Sequence, residues 1–313
     1  MKVYYSRDTN IKMPTCAATV GFFDGVHLGH RALIEQLKTA AAANKLPSVV
    51  VTFAQHPRTV LHADFQPALL TSLSEKLIQL SSTGIDVCVV LDFTIEMSRL
   101  TARDFLKKIL FEQFNVSTLL VGHDHRFGHN RTEGYADYQK HGNEIGMQVM
   151  QADRFELPDV AHVSSSEIRL ALSQGNIAKT NRLLSYVYSF EGKVVNGFKV
   201  GRKIGFPTAN LLAIEANKLI PATGVYAVDV CYNEKRYRGM MNIGNRPTFG
   251  NALNSSIEVN IFGFDDDIYN ETLCVRFLAK IREEKKFDSV HELVQQLAND
   301  KAVAQNIYID YQK

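Results

Sequence analysis

Two histidines, His27 and His30, stand three residues apart in the string Gly21-Phe22-Phe23-Asp24-Gly25-Val26-His27-Leu28-Gly29-His30. An apolar run precedes Gly21 and a helical pattern begins at His30, so the string reads as the turn between a buried strand and a helix. Glycines at 21, 25 and 29 let backbone amides approach a ligand, and the helix N-terminus adds partial positive charge suited to phosphate. Both imidazoles can point at that phosphate. Nucleotidyl transfer needs such donors, because charge builds on the α-phosphate and on the leaving pyrophosphate. In-line geometry then comes from binding and needs no covalent intermediate. A bare histidine pair would equally suit a metal half-site or two surface positions; the longer string in its strand–turn–helix setting favours the nucleotide.

Two further clusters sit where ligands of such a domain bind. His56-Pro57 follows the apolar run Val49–Phe53, and Gly122-His123-Asp124-His125-Arg126-Phe127-Gly128-His129-Asn130-Arg131 follows another strand. His123, His125 and His129 suggest a metal site as one alternative and a solvated polar loop as another. Many donors directly after a buried strand favour a ligand loop carrying Asp124 and Arg126. Ser164, Ser165 and Ser166 place hydroxyls at a helix start with Arg169 one turn in, which also describes an ordinary cap.

The second half carries a different set. Gly205-Phe206-Pro207-Thr208-Ala209-Asn210 follows the basic, glycine-punctuated stretch Gly197-Phe198-Lys199-Val200-Gly201-Arg202-Lys203. Pro207 fixes the backbone, and extended chain beyond it puts Thr208 and Asn210 on one face. A hydroxyl and an amide oxygen are hard ligands suited to Mg²⁺ on nucleotide phosphates, with Gly201 and its neighbours as a flap and Lys199, Arg202 or Lys203 nearby. In Ile257-Glu258-Val259-Asn260-Ile261 the alternation turns Glu258 away from the apolar face. There it is either a solvated carboxylate or, in a cleft, a general base for a hydroxyl.

The elements that must position these residues follow from periodicity. Strands are expected at Ala17–Phe22, Ser48–Phe53, Val87–Leu91, Thr118–Gly122 and Met147–Ala152. Helical stretches lie between them: His30–Ala43, Ser72–Leu80 with a Ser72/Glu75 capping box, and Thr101–Phe114 with Phe105, Ile109 and Leu110 on one stripe. Apolar strands alternating with helices predict a Rossmann-like α/β domain with a parallel sheet covered on both faces. A helix capped at Ser164–Glu167 runs to Gly175. From Tyr188 the pattern becomes two-period: Ser189–Val195, Gly224–Tyr232, Arg236–Ile243, Ser256–Phe264 and Leu273–Ile281, an antiparallel barrel or sandwich, then a helix over Asp288–Leu297. The expected domains are 1–183 and 184–313.

Bulk properties agree. The 313 residues carry a formal net charge of +2, which gives no electrostatic signature of a nucleic-acid or membrane binder. Cys16, Cys88, Cys231 and Cys274 form no C-x-x-C pair and read as reduced thiols. With no apolar leader and no spanning segment, a cytoplasmic protein is expected, as a monomer or weak homo-oligomer.

Taken together, the segments resemble the prokaryotic bifunctional riboflavin kinase/FAD synthetase family. Gly21–His30, His56-Pro57, Gly122–Gly128 and Ser164–Arg169 resemble its FMN adenylyltransferase module. Gly205–Asn210, Gly224-Val225-Tyr226, the run Asn242–Phe249, Ile257-Glu258-Val259 and the run Ile281–Phe287 resemble its riboflavin kinase module. The resemblance implies that His27 and His30 hold ATP phosphates, that Gly21, Phe22, Phe23, Asp24, Gly25 and Gly29 shape the site, and that Ser164, Ser165 and Arg169 close on it. It implies Thr208 and Asn210 as ligands of Mg²⁺–ATP, Glu258 as the base for the ribityl hydroxyl of riboflavin, and Arg282 near flavin or nucleotide. The substrates and products would be riboflavin, FMN, FAD and ATP. His125 stands where the family has an aromatic residue, and Ala54-Gln55 replace a proline-bearing pair. Rival readings keep one activity only, make the second half a nucleic-acid or regulatory module, or make the histidine-rich half a metallohydrolase.

Overall fold

The computed structural model describes every residue except 9–11, 62–63, 65, 124, 130–131, 159, 161, 198–199, 246–254 and 311–313. Asp124, Asn130, Arg131, Phe198, Lys199 and the run Arg246–Phe249 therefore lie outside the described residues. The chain divides into two compact units, Met1–Ser165 and Ser166–Lys313.

The first unit runs β1 (Lys2–Tyr5), β2 (Cys16–Val20), α1 (Leu28–Ala43), β3 (Ser48–Phe53), α2 (Pro57–Leu61), α3 (Leu73–Ser81), β4 (Val87–Leu91), α4 (Ile95–Ser98) and α5 (Ala102–Asp104). A π-wound segment (Phe105–Gln113), β5 (Val116–Val121), α6 (Tyr135–Ile145) and β6 (Gln148–Gln151) complete it. The sheet order is β1-β4-β3-β2-β5-β6, and every pairing is parallel. Successive residues feed opposite cores. Val49 and Val51 join Phe105, Leu110 and Tyr138 on one side, while Val50 joins Ile34, Leu37 and Leu80 on the other. That two-sided burial explains why β3 is apolar at every position but Ser48 and Thr52.

The capping box at Ser72 and Glu75 is present, each side chain bonding the other's backbone amide. One expectation changes. Over Phe105–Gln113 the chain widens to five-residue bonds, such as Phe114 N to Ile109 O. The wider turn buries Phe105, Leu106 and Leu110 and leaves Ile109 half-buried, so the expected stripe is displaced.

The second unit holds most of α7 (Ser165–Ser173), then α8 (Ile177–Leu184), β7 (Ser189–Val195), α9 (Val200–Lys203), β8 (Ala209–Ala213) and β9 (Gly224–Tyr232). After these come β10 (Lys235–Asn245), β11 (Ser255–Ile261), β12 (Thr272–Arg282) and α10 (Val290–Asp310). The strands close into an antiparallel barrel in the order β10-β11-β8-β7-β12-β9. Closure removes the open edges that a sandwich would leave. α10 packs by Ala304 and Ile307 against Ala227 and Leu278 of the barrel wall. All four cysteines are free; burial pushes the Cys16 and Cys88 thiols up to about 12. Cys231 and Cys274 are half-buried partners across β9 and β12. Among the described residues no helix is long and apolar enough to cross a membrane.

Candidate active sites

In the first unit the chain leaves β2 for β3 and β4 on one side, then crosses to β5 and β6 on the other. The carboxyl ends of β2 and β5 therefore flank a topological switch point, the place where such sheets bind ligands. The turn after β2 is Gly21–His27, and the loop after β5 begins at Gly122. Three turn residues take left-handed backbone: Phe23 (φ 55°), Gly25 (φ 80°) and Val26 (φ 38°). For a β-branched residue this is an outlier that the surroundings must enforce. They do so through Asp24. Its carboxylate, 3% exposed, accepts from Leu70 N, Thr71 N and Thr71 Oγ1 at 3.0–3.3 Å, and Gly25 N donates to Thr71 Oγ1 at 3.1 Å. The Gly25 amide thus serves the turn itself.

His27 is the N-cap of α1, accepting from His30 N through Nδ1 at 3.4 Å. An accepting Nδ1 leaves Nε2 to carry the proton. The His27 and His30 rings stack at 3.6 Å with 18° between planes, and Phe23 meets His30 edge-on at 5.1 Å. The His30 Nδ1 is buried with no hydrogen-bond partner among the described residues. Burial first, then the neighbouring His27, His125 and Lys76, holds the His30 imidazole well below its usual range. His30 is therefore a neutral imidazole, tightly packed against His27 at a helix N-terminus.

The other residues singled out from the sequence are placed as follows. His56 packs edge-on against Phe22 at 4.8 Å and accepts from Arg58 N through Nδ1 at 3.2 Å. His123, His125 and Arg126 line a cavity of about 180 Å³ with Tyr135 and Gln151. Behind it Phe127 stacks on Tyr138 at 4.1 Å. Gly128 (φ 89°) lies so close to Ala102 that a Cβ would fall 2.6 Å from its backbone nitrogen. The Ser165 hydroxyl donates to Asp24 O at 2.9 Å, tying the start of α7 to the turn, and Ser164 precedes it half-buried. Arg169 follows one turn later, within the second unit. No group of three His, Cys, Asp or Glu side chains able to hold a metal occurs among the described residues.

In the second unit the barrel register builds the site. Asn210 on β8 pairs with Glu258 on β11, which pairs with Asn242 on β10, which pairs with Val225 on β9. Val225 in turn pairs with Arg282 on β12. Directly paired residues share a face, so these polar side chains form one row. That face is opposite to Ile257, Val259 and Ile261, which are buried. Thr208 Oγ1 donates to Glu258 Oε2 at 3.3 Å, and Asn260 Nδ2 holds Pro207 O at 2.6 Å, fixing the segment that carries Thr208.

Two cavities meet at Thr208. One, about 280 Å³, is bounded by Glu258, Asn242 and Arg282 with Phe287, Leu293 and Leu297 as apolar wall. The other, about 430 Å³, is bounded by Arg202, Asp266 and Tyr269. Gly201 permits the approach between them: a Cβ there would lie 2.2 Å from Phe206 O, whose own amide donates back to Gly201 O at 2.9 Å. Arg282 reaches its cavity already engaged. Its Nε and Nη2 bond Asp300, which is 1% exposed, at 2.8–3.1 Å.

Sequence reasoning passed over Lys76, Thr71, Asn242 and Asp300 as individual residues. Lys76 had a legible signal: it occupies the apolar stripe of α3 between Leu73 and Leu80. The other three become visible only through strand register or chain crossing.

Comparison with known proteins identifies the family. The FAD synthetase family matches residues 10–167 and the riboflavin kinase family matches residues 184–308. The chain is 37% identical over 294 residues to the bifunctional riboflavin kinase/FMN adenylyltransferase of Escherichia coli strain K12, covering 94% of this chain and 93% of that one. It is 36% identical over 289 residues to the protein so named from Listeria monocytogenes, covering 90% and 88%. A Streptococcus pneumoniae structure described as a macrolide-efflux protein superposes with a TM-score of 0.87 at 34% identity, covering 98% of this chain and 99% of that one.

Proposed function

The chain belongs to the bifunctional riboflavin kinase/FMN adenylyltransferase family, and from that premise we propose how its residues divide the work. The barrel transfers the γ-phosphoryl group of ATP to riboflavin, giving FMN and ADP. The α/β domain transfers the adenylyl group of a second ATP to FMN, giving FAD and pyrophosphate. The division falls at 183/184, a reading supported by the start of the riboflavin kinase match at 184. Both steps take place in the cytoplasm.

The observation that carries the kinase reading is the meeting of Thr208 and Asn210 with Glu258, which lies 50 residues after Thr208 in the chain. Glu258 takes the proton of the terminal ribityl hydroxyl as that oxygen bonds to the γ-phosphorus and ADP departs. Thr208 Oγ1 and the Asn210 amide beside a carboxylate are hard oxygen donors, a set that fits Mg²⁺ on ATP. When bound, the ion neutralises charge on the phosphates. Arg202 and Gly201 face the nucleotide, and Arg282 the flavin.

In the first domain His27 and His30 hold the ATP phosphates at the α1 N-terminus. An FMN phosphate oxygen attacks the α-phosphorus in line and pyrophosphate leaves. Gly21, Phe22, Phe23, Asp24, Gly25 and Gly29 shape this site, Asp24 through the Leu70–Thr71 backbone. His56, Asp124, Arg126, Ser164, Ser165 and Arg169 complete the nucleotide and flavin contacts.

The test supplies riboflavin or FMN with Mg²⁺–ATP and separates FMN, FAD, ADP and pyrophosphate. Glu258→Gln is expected to abolish FMN formation and spare FMN-to-FAD conversion, and His30→Ala to do the reverse. A full kinase rate in Glu258→Gln would overturn the base assignment.

A further inference from the structure

The side chain that the proposed mechanism leaves unused is Lys76, a lysine only 2% exposed beside the phosphate turn. It stands in the first turn of α3, directly after the Ser72/Glu75 capping box. Its ammonium donates to Phe53 O at 2.8 Å and Phe22 O at 3.2 Å, and lies 4.2 Å from the centre of the Phe22 ring. Phe53 ends β3 and Phe22 is the second residue of the turn after β2, so one cation gathers two carbonyls where the strands part. The same turn is fastened to the chain just before α3 through Asp24, on Leu70 and Thr71. Lys76 and Asp24 are thus two braces from one short stretch of chain to one turn.

Burial of this kind opposes stability. Desolvation pulls the Lys76 ammonium down to about 8 against the attraction of Asp24 and Cys88. A methionine would fill the same apolar stripe without that cost. Desolvation of the ammonium therefore offsets what its hydrogen bond to Phe53 O contributes to stability, whereas the turn gives a separate reason for a cation here. The Phe22 and Phe53 carbonyls put negative oxygen within and beside the turn at which phosphates must be held. Phe22 O has a second donor in Thr52 Oγ1 at 3.1 Å, so the lysine is not needed merely to satisfy it.

We propose that Lys76 is a positioning residue for adenylyl transfer: by drawing the Phe22 and Phe53 carbonyls onto its ammonium it sets the path of the phosphate turn and covers their negative charge. The proposal rests on the adenylyltransferase reading of the first domain. It acts through Phe22 and the turn that carries His27 and His30, and touches neither flavin nor ATP.

The test compares full-length wild type, Lys76→Met and Lys76→Arg for kcat and KM(ATP) of FMN adenylylation, riboflavin kinase rate and melting temperature. Lys76→Met should melt within about 3 °C of wild type, yet lose about 30-fold or more in adenylylation kcat per folded molecule, as when a fixed electrostatic donor is removed. Its kinase rate should stay within about two-fold, and Lys76→Arg should recover most of the lost kcat. A folded Lys76→Met with adenylylation kcat within about three-fold of wild type would overturn the proposal, and so would an arginine variant as inactive as the methionine one. If Lys76→Met does not fold, Lys76→Gln takes its place with the same thresholds. Failure of both to fold assigns the lysine a structural role and also overturns the proposal. Absence of FMN adenylylation in wild type would instead overturn the underlying reading.

Discussion

Asp24, His27 and Lys76 are 3, 5 and 2% exposed, whereas Thr208 is exposed and Glu258 half-buried. The proposed adenylyl-transfer site is built into the end of a sheet whose central strands are buried on both faces, and its polar groups are held by backbone. The proposed kinase site lies on the outward face of a barrel strand and is walled by α10 and by the segment around Gly201. The difference is one of when the site is assembled. In the first domain folding itself places the turn, strained backbone included. In the second, folding places a row of side chains across β8, β11 and β10 that substrates must then cover. Damage should accordingly fall on chemistry alone at Glu258 of the barrel, and on folding plus chemistry at the buried Asp24 of the α/β domain.

The largest effect that would break this contrast is at Glu258. Glu258→Gln should lower the kinase kcat by about 10³-fold, roughly 4 kcal/mol of barrier, which is the range for a lost general base. Its melting curve should superpose on that of wild type, because among the described residues the carboxylate accepts only from Thr208 at 3.3 Å, and it is half-buried. A large loss of stability would mean that the barrel site is as deeply built in as the other.

Asp24→Ala makes the opposite test. It removes a buried carboxylate that accepts two backbone amides and a hydroxyl, and so takes this acceptor from the amides of Leu70 and Thr71. The expected loss is about 3 kcal/mol in chemical denaturation, as for a charged hydrogen-bond network. Adenylylation should fall with it. Stability unchanged by this variant would show that the left-handed Phe23 and Val26 are held by something else.

Much of this contrast was legible in the residues. Ser48–Phe53, Val87–Leu91, Ser189–Val195 and Gly224–Tyr232 are strands with the very bounds their alternation and apolar runs suggest. The Gly21–His30 string was legible because paired histidines, spaced glycines and a strand–helix change coincide there. β1 was not, since Lys2–Tyr5 is a four-residue edge strand with three exposed or half-buried aromatic and basic residues. β8 was read as extended chain and not as a ladder strand, because Ala209–Ala213 has no turn signal of its own. The terminal helix extends to Asp310, past its expected end at Leu297 and through Asp300. The polar residue there is buried against Arg282, a contact 18 positions away that no local pattern carries.

That contact supplies a smaller test within the barrel. Asp300→Ala releases the Arg282 fork, which is 20% exposed on its side chain, and leaves a partly buried guanidinium without its carboxylate. A stability loss of about 2 kcal/mol is expected, below the full range for breaking a buried pair because Arg282 retains solvent. The KM for riboflavin should rise by about ten-fold with kcat little changed, as for lost orientation of a binding group. FMN adenylylation should not respond. A change in kcat without a change in KM would place Arg282 at the reacting atoms instead of the flavin.

The smallest effect is set by pH. His30 is held well below its usual pKa by burial and by His27, His125 and Lys76, whereas in the unfolded chain it titrates near 6.5. Below 6.5 the unfolded chain therefore binds a proton that the folded one refuses. The contribution is fully present above pH 6.5 and is lost as pH falls, at up to about 1.4 kcal/mol per unit from this residue. The chain has no tryptophan, so the measurement is denaturant unfolding followed by far-ultraviolet circular dichroism at pH 5.5 and 7.5. Wild type should lose about 1 kcal/mol more over this interval than His30→Gln, which has no proton to refuse. Equal losses in the two proteins would mean that His30 takes up a proton in the folded state as readily as in the unfolded chain, and the phosphate turn would then carry an imidazolium in acid. Such a charge would make ATP binding tighten as pH falls through 6.5, and the same pair of proteins would reveal it in the pH dependence of KM(ATP).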